Sequence, residues 1–188
     1  MTFERGPHPG VGRAEVVRRI NAMMSELQLE NVEVSFLLTD DDRIHELNKI
    51  YRHKDRPTDV LAFAMREGDF AELAGDALGD VIVSVPTARK QAAERGKTVL
   101  EEVTMLTAHG LLHLLGWDHD TPAKDRRMTA ETERLCLAAA PARRTEGRAS
   151  KGRGEAALTS KRHVVRTGAG PKKDQATRGL KARRSPKG

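Results

Sequence analysis

The sequence predicts an α+β fold: one compact domain of helices packed on a small mixed β-sheet, followed by a disordered basic tail. Three observations carry this. Apolar residues recur at helical spacing in some segments and alternate at strand spacing in others, without strict strand–helix–strand repetition. Residues 1–141 hold 18 basic and 24 acidic side chains, net −6, whereas residues 142–188 hold 15 and 3, net +12. All six aromatics precede residue 142, and the last 47 residues contain only four large aliphatics: Leu158, Val164, Val165 and Leu180. Ordering a residue costs roughly 1–2 kcal/mol of conformational entropy, which four such side chains do not offset. The expected division is therefore a domain over 1–141 and a disordered tail over 142–188. Two catalytic domains are excluded.

Val16, Ile20, Met23 and Leu27 predict an amphipathic helix over 14–28. Val32, Val34, Phe36 and Leu38 alternate, the period of a half-buried strand. Thr39, with Asp42 three residues on, is placed to cap a second helix whose Ile44, Leu47 and Tyr51 face inward. Pro57 stops it. Two β-rich runs follow, Val60–Met65 and Val81–Val85, separated by an acidic, glycine-containing loop at 66–79. Residues 87–95 read as a short helix closed by Gly96. Val99, Val103, Leu106, Leu111 and Leu114 mark the longest helix, ending at Gly116. A last helix opens with Thr121 as N-cap and Pro122 in its first turn, and runs to about Ala140. There is no internal repeat, and no strand is legible before Ala14.

The single cysteine, Cys136, excludes an intramolecular disulfide framework and a cysteine-rich zinc module. It reads as a small hydrophobe on a packed face. Residues 1–12 carry no apolar run and do not read as a signal peptide. No stretch approaches the ~18–20 apolar residues of a membrane span. The expectation is a soluble, cytoplasmic protein.

Three of seven histidines fall within eleven residues: His109-Gly-Leu-Leu-His113-Leu-Leu-Gly116-Trp-Asp118-His119. Positions i and i+4 lie above one another on a helix, so His109 and His113 share a face. A turn at Gly116 would bring His119 round as a third nitrogen donor. Three imidazoles suit a divalent transition metal, with one Zn²⁺ per chain expected, and three ligands with an open position mark the catalytic kind of zinc site. The spacing H-x-x-x-H-x-x-G-x-x-H also matches a metzincin protease, but the general-base Glu after the first histidine is here Gly110. Proteolysis would need another base, such as Asp118. That residue reads better as a turn residue or as a partner orienting an imidazole.

A second constellation runs Leu47-Asn48-Lys49-Ile50-Tyr51-Arg52-His53-Lys54-Asp55-Arg56-Pro57-Thr58-Asp59-Val60-Leu61-Ala62-Phe63. Lys54 and Arg56 read as a solvated charged turn. Arg52 could instead face a cleft, where a guanidinium beside a metal suits phosphate chemistry.

These stretches, with Leu78-Gly79-Asp80-Val81, resemble the YbeY family of zinc-containing endoribonucleases implicated in ribosomal RNA maturation. The likeness covers about residues 14–140. It departs from the family pattern at Ala62 and Ala64, within its Leu-Ser-Phe-Pro run, and at Trp117, where Tyr is usual. The resemblance implies an α+β fold, zinc on His109, His113 and His119, and a functional arginine at Arg52. It further implies cleavage of single-stranded RNA, maturation of the 16S rRNA 3′ end on the small ribosomal subunit, and ribosome quality control. The nucleophile stays open between a zinc-bound water and the RNA 2′-hydroxyl. The alternatives are a zinc metalloprotease with a non-standard base and a non-catalytic zinc-containing ribosome-assembly factor. The tail, outside the resemblance, is expected to serve as a non-specific RNA-binding arm.

Overall fold

A computed structural model describes residues 2–4, 6–66 and 74–141. Its elements are β1 (Thr2–Phe3), α1 (Arg13–Glu26), β2 (Glu33–Thr39), α2 (Asp41–Arg52), β3 (Val60–Ala64), β4 (Ala77–Ser84), α3 (Val85–Glu94), α4 (Val99–Leu114) and α5 (Pro122–Ala139). The expected α+β architecture is present. The sheet runs β1-β2-β4-β3, with β2 parallel to both β1 and β4, and β3 antiparallel to β4. Central β4 is apolar on both faces, as a strand covered on both sides must be. Val81 and Val83 point into the main core, shared with α1, α4 and α5. Ile82, between them, points the other way and joins Leu61 under Ile44 and Leu47 of α2. Among the described residues no helix is long and apolar enough to cross a membrane.

Local chemistry sets the helix ends. Thr98 and Glu101 form a reciprocal capping box at the start of α4, and Thr121 accepts from the Lys124 N–H to open α5. Four features differ from the sequence expectations. A strand does precede Ala14: Thr2–Phe3 pairs with Leu37 and Leu38, but two residues are too few to show a period. Asp40, not Thr39, caps α2, accepting from the Arg43 N–H at 2.9 Å. Thr39 is still in β2, opposite Ser84 and fully buried. Tyr51, expected to face inward, is 61% exposed and meets Phe63 edge-on, because Ile44, Leu47 and Asn48 already complete the buried face of α2. Finally, β4 starts at Ala77 and yields to helix at Val85. Gly79 and Asp80 interrupt its apolar run yet still pair with both neighbouring strands, and the Ser84 hydroxyl accepts from the Thr87 N–H to start α3. Residues 67–73 of the acidic loop and the tail 142–188 lie outside the described residues.

Candidate metal centre and active-site cleft

The site begins with how closely α4 can approach the sheet. Most of its length is buried against α1, α3, α5, β3 and β4. Gly110 faces the sheet, where a Cβ would lie 2.6 Å from Val81 Cγ1 and 3.3 Å from Val60 Cγ2. A glutamate at this position, as a metzincin has, finds no room. His109 and His113, one turn apart, emerge half-buried beside this contact. Gly116 then takes φ +79°, a left-handed conformation that costs glycine little, and the Trp117 N–H returns to the Leu112 carbonyl at 3.1 Å. The reversed chain brings His119 back over the other two rings, as the spacing predicts.

The three imidazoles offer donor nitrogens that all lie within 4.8 Å of one another. His109 Nε2 and His113 Nε2 are 3.2 Å apart. Two nitrogens bound at about 2.0–2.1 Å to a tetrahedral zinc are separated by roughly 3.3 Å, so this pair is already spaced as ligands. His113 Nδ1 donates to the Trp117 carbonyl at 3.0 Å, leaving Nε2 with its lone pair free for a metal. Burial, then the neighbouring imidazoles, pushes His109 down to about 4; burial is also the first cause lowering His113. Both are thus held in the neutral form that metal binding needs. Among the described residues no cysteine, carboxylate or further histidine joins the cluster. The donor set fits a metal ion.

Arg52, the last residue of α2, donates from Nη2 to the Ala62 carbonyl at 2.8 Å and lies 5.6 Å from the Phe63 ring centroid. These interactions lay its guanidinium along β3, into the same cleft of about 780 Å³ that the three histidines line. Its charge also contributes to lowering His113. Lys54 and Arg56 are exposed, as a solvated turn requires, yet they border this cleft too. Their loop is built by His53, which ends α2 at φ +56°, and by buried Asn48, whose Nδ2 donates to the Arg56 carbonyl at 2.7 Å. Asn48 is a site residue that sequence reasoning missed. A polar side chain one turn after Ile44, on the apolar face of its helix, was the available signal. Asp59 was missed as well: it accepts from the Val60 N–H and from Gln91 Nε2, and its charge bears on His109. Asp118 takes the turn role, accepting from the His119 N–H at 2.7 Å and facing Lys124. Cys136 is half-buried against the core, as expected of a small hydrophobe.

Fold and site together define an α+β protein with a three-imidazole centre set in a cleft that Arg52, Lys54 and Arg56 also line. Residues 12–139 match the family model described as endoribonuclease YbeY, and this chain belongs to that family. The endoribonuclease YbeY of a Sulfurihydrogenibium species is 52% identical over 108 residues, covering 56% of this chain and 68% of the relative. That of Aquifex aeolicus is 48% identical over 115 residues, covering 61% and 74%. The solution structure of a Thermotoga maritima protein superposes with a TM-score of 0.52 at 26% identity, covering 73% of this chain and 86% of that one.

Proposed function

We propose that this chain is a zinc-dependent endoribonuclease that cleaves single-stranded RNA, acting in the cytoplasm on the small ribosomal subunit to mature the 16S rRNA 3′ end and in ribosome quality control. One observation carries the reading furthest: three convergent imidazole nitrogens share a cleft with an arginine, inside a chain of the endoribonuclease YbeY family. His109, His113 and His119 would hold one Zn²⁺, and three protein ligands are the number a catalytic zinc site keeps. When bound, the ion supplies Lewis acidity toward a phosphoryl oxygen or an attacking water. Arg52 binds the scissile phosphate through its guanidinium and stabilises the charge that grows on its oxygens. Its hydrogen bond to Ala62 and its contact with Phe63 pre-position it for that task. His113 keeps its proton on Nδ1, held by the Trp117 carbonyl, so its ring stays aimed into the cleft. Residues 1–141 form the catalytic domain in this reading, and the basic residues of 142–188 add phosphate contacts beyond it.

The test is cleavage of a single-stranded rRNA precursor by purified full-length protein. Activity should disappear with a chelator, return on adding zinc, and be lost in His113→Ala. A casein-type substrate run beside it should stay intact. Cleavage that is indifferent to both chelator and His113→Ala would overturn the reading.

A further inference from the structure

We propose that Trp117, with Arg127, forms a stacking subsite for an unpaired nucleobase next to the scissile phosphate. This rests on the endoribonuclease reading and adds to it the physical source of single-strand preference. A second cavity of about 260 Å³ is lined by Leu115, Gly116, Trp117, Asp118, Lys124 and Arg127. It shares Gly116, Trp117 and Asp118 with the metal cleft, so the two hollows adjoin at one turn of chain. The same turn fixes the metal site, because the Trp117 carbonyl holds His113 Nδ1. The indole is thereby tied to the centre by its own backbone.

Among the described residues no other Phe, Tyr or Trp lines either hollow, and the three imidazoles that do are the candidate metal ligands; Tyr51 and Phe63 pair with each other. Trp117 is half-buried, which fixes the ring while leaving part of it open. Arg127 is exposed, and its guanidinium carbon lies 5.7 Å from the indole centroid, within the roughly 6 Å of a cation–π pair. It makes no ion pair among the described residues, so its guanidinium is free to lift onto a base or a flanking phosphate. An aromatic face with a cation over it, at the edge of a cleft that Arg52 and three imidazoles also line, has the makeup of a single-strand binding platform. A base enters it only when unpaired and splayed from its neighbours.

Trp117 is the sole tryptophan of the chain, so its fluorescence reports on this subsite directly. Full-length zinc-loaded protein is mixed rapidly with a short single-stranded oligoribonucleotide, with the same strand carrying abasic positions, and with a fully paired duplex. The intact single strand should quench the emission before cleavage, and the other two should not. Stacking on an aromatic is worth about 5- to 150-fold in affinity per base, so Trp117→Ala should raise KM by that factor and abolish discrimination against the abasic strand. Trp117→Phe should restore most of both, and zinc content is measured in each variant to separate a loss of stacking from a collapsed turn. Wild type that neither binds nor cleaves single-stranded RNA brings down the endoribonuclease reading and the subsite with it. Wild type that cleaves with unquenched fluorescence, and treats intact and abasic strands alike, overturns the subsite alone.

Discussion

His113 serves two purposes with one ring, donating from Nδ1 to the Trp117 carbonyl while Nε2 faces His109 Nε2. Wild-type protein should therefore carry about one zinc per chain, and His109→Ala or His113→Ala should lose most of it by elemental analysis. Undiminished zinc in both variants would remove the assignment. Arg52 separates chemistry from structure, since among the described residues its guanidinium pairs with the Ala62 carbonyl and the Phe63 face rather than with a carboxylate. Arg52→Ala should keep zinc and fold yet lose roughly 10²–10³ in kcat, the size of a missing transition-state donor. Arg52→Lys should recover only part, lacking the planar fork. Full activity in Arg52→Ala would return the residue to a solvated turn. Glu102, at the other end of α4, is fully buried; one oxygen takes Arg95 and the other has no hydrogen-bond partner among the described residues. Burial raises its pKa despite Arg95. The folded state then holds this proton more tightly than the unfolded chain, so stability falls as pH rises from about 4.5, the ordinary value, through the raised one. His109, depressed to about 4, has the opposite slope: it contributes stability above about 6.5 that is lost as pH falls toward 4. The readable quantity is thus the difference between wild type and Glu102→Gln in urea midpoint across pH 4–8. Parallel curves would show that Glu102 titrates as it does unfolded.

At the scale of the element, α4 decides the site. Its capping box, its apolar run and its glycine stop are all local signals, and each is written in consecutive residues. What the helix rests on is not local. Gly110 meets Val81 and Val60 from two different strands, a juxtaposition that no periodicity displays. Gly110→Ala should destabilise the domain by about 1–3 kcal/mol, as an added methyl in a packed interface does. Val81→Ala in the same chain should return part of that loss, because the removed methyl is the one 2.6 Å away. Thermal unfolding of the four proteins in this cycle measures it, and strict additivity would place the strain elsewhere. The same distinction explains α2. Its helical period is plain in the sequence, but Tyr51 is exposed because the helix ends just as its buried face is complete.

At the scale of the whole molecule, charge is arranged against the average. Residues 1–141 are net −6, yet Arg52, Lys54 and Arg56 border one cleft against only Asp59 and Asp118, so its lining is net basic where the rest of the segment is acidic. The 15 basic residues after Pro141 add a larger field of the same sign. Truncation after Pro141 should weaken RNA binding at low salt and flatten its salt dependence, by roughly 0.7 in log–log slope for each phosphate that is no longer neutralised. Zinc content and cleavage position should not change. Equal affinity and equal slope in the two proteins would leave the extension without an RNA role. By itself the sequence determined the fold class, most helix positions, and the three histidines with the glycine that turns between them. These follow from spacing along one chain, where side-chain period and backbone freedom suffice. Tertiary structure alone decided that Arg52 shares a cleft with the histidines, that Asn48 braces its loop, that a two-residue edge strand exists, and that position 110 has no room for a side chain. Each depends on segments far apart in sequence meeting across the sheet, and the free energy of such meetings is set by packing that no single segment encodes.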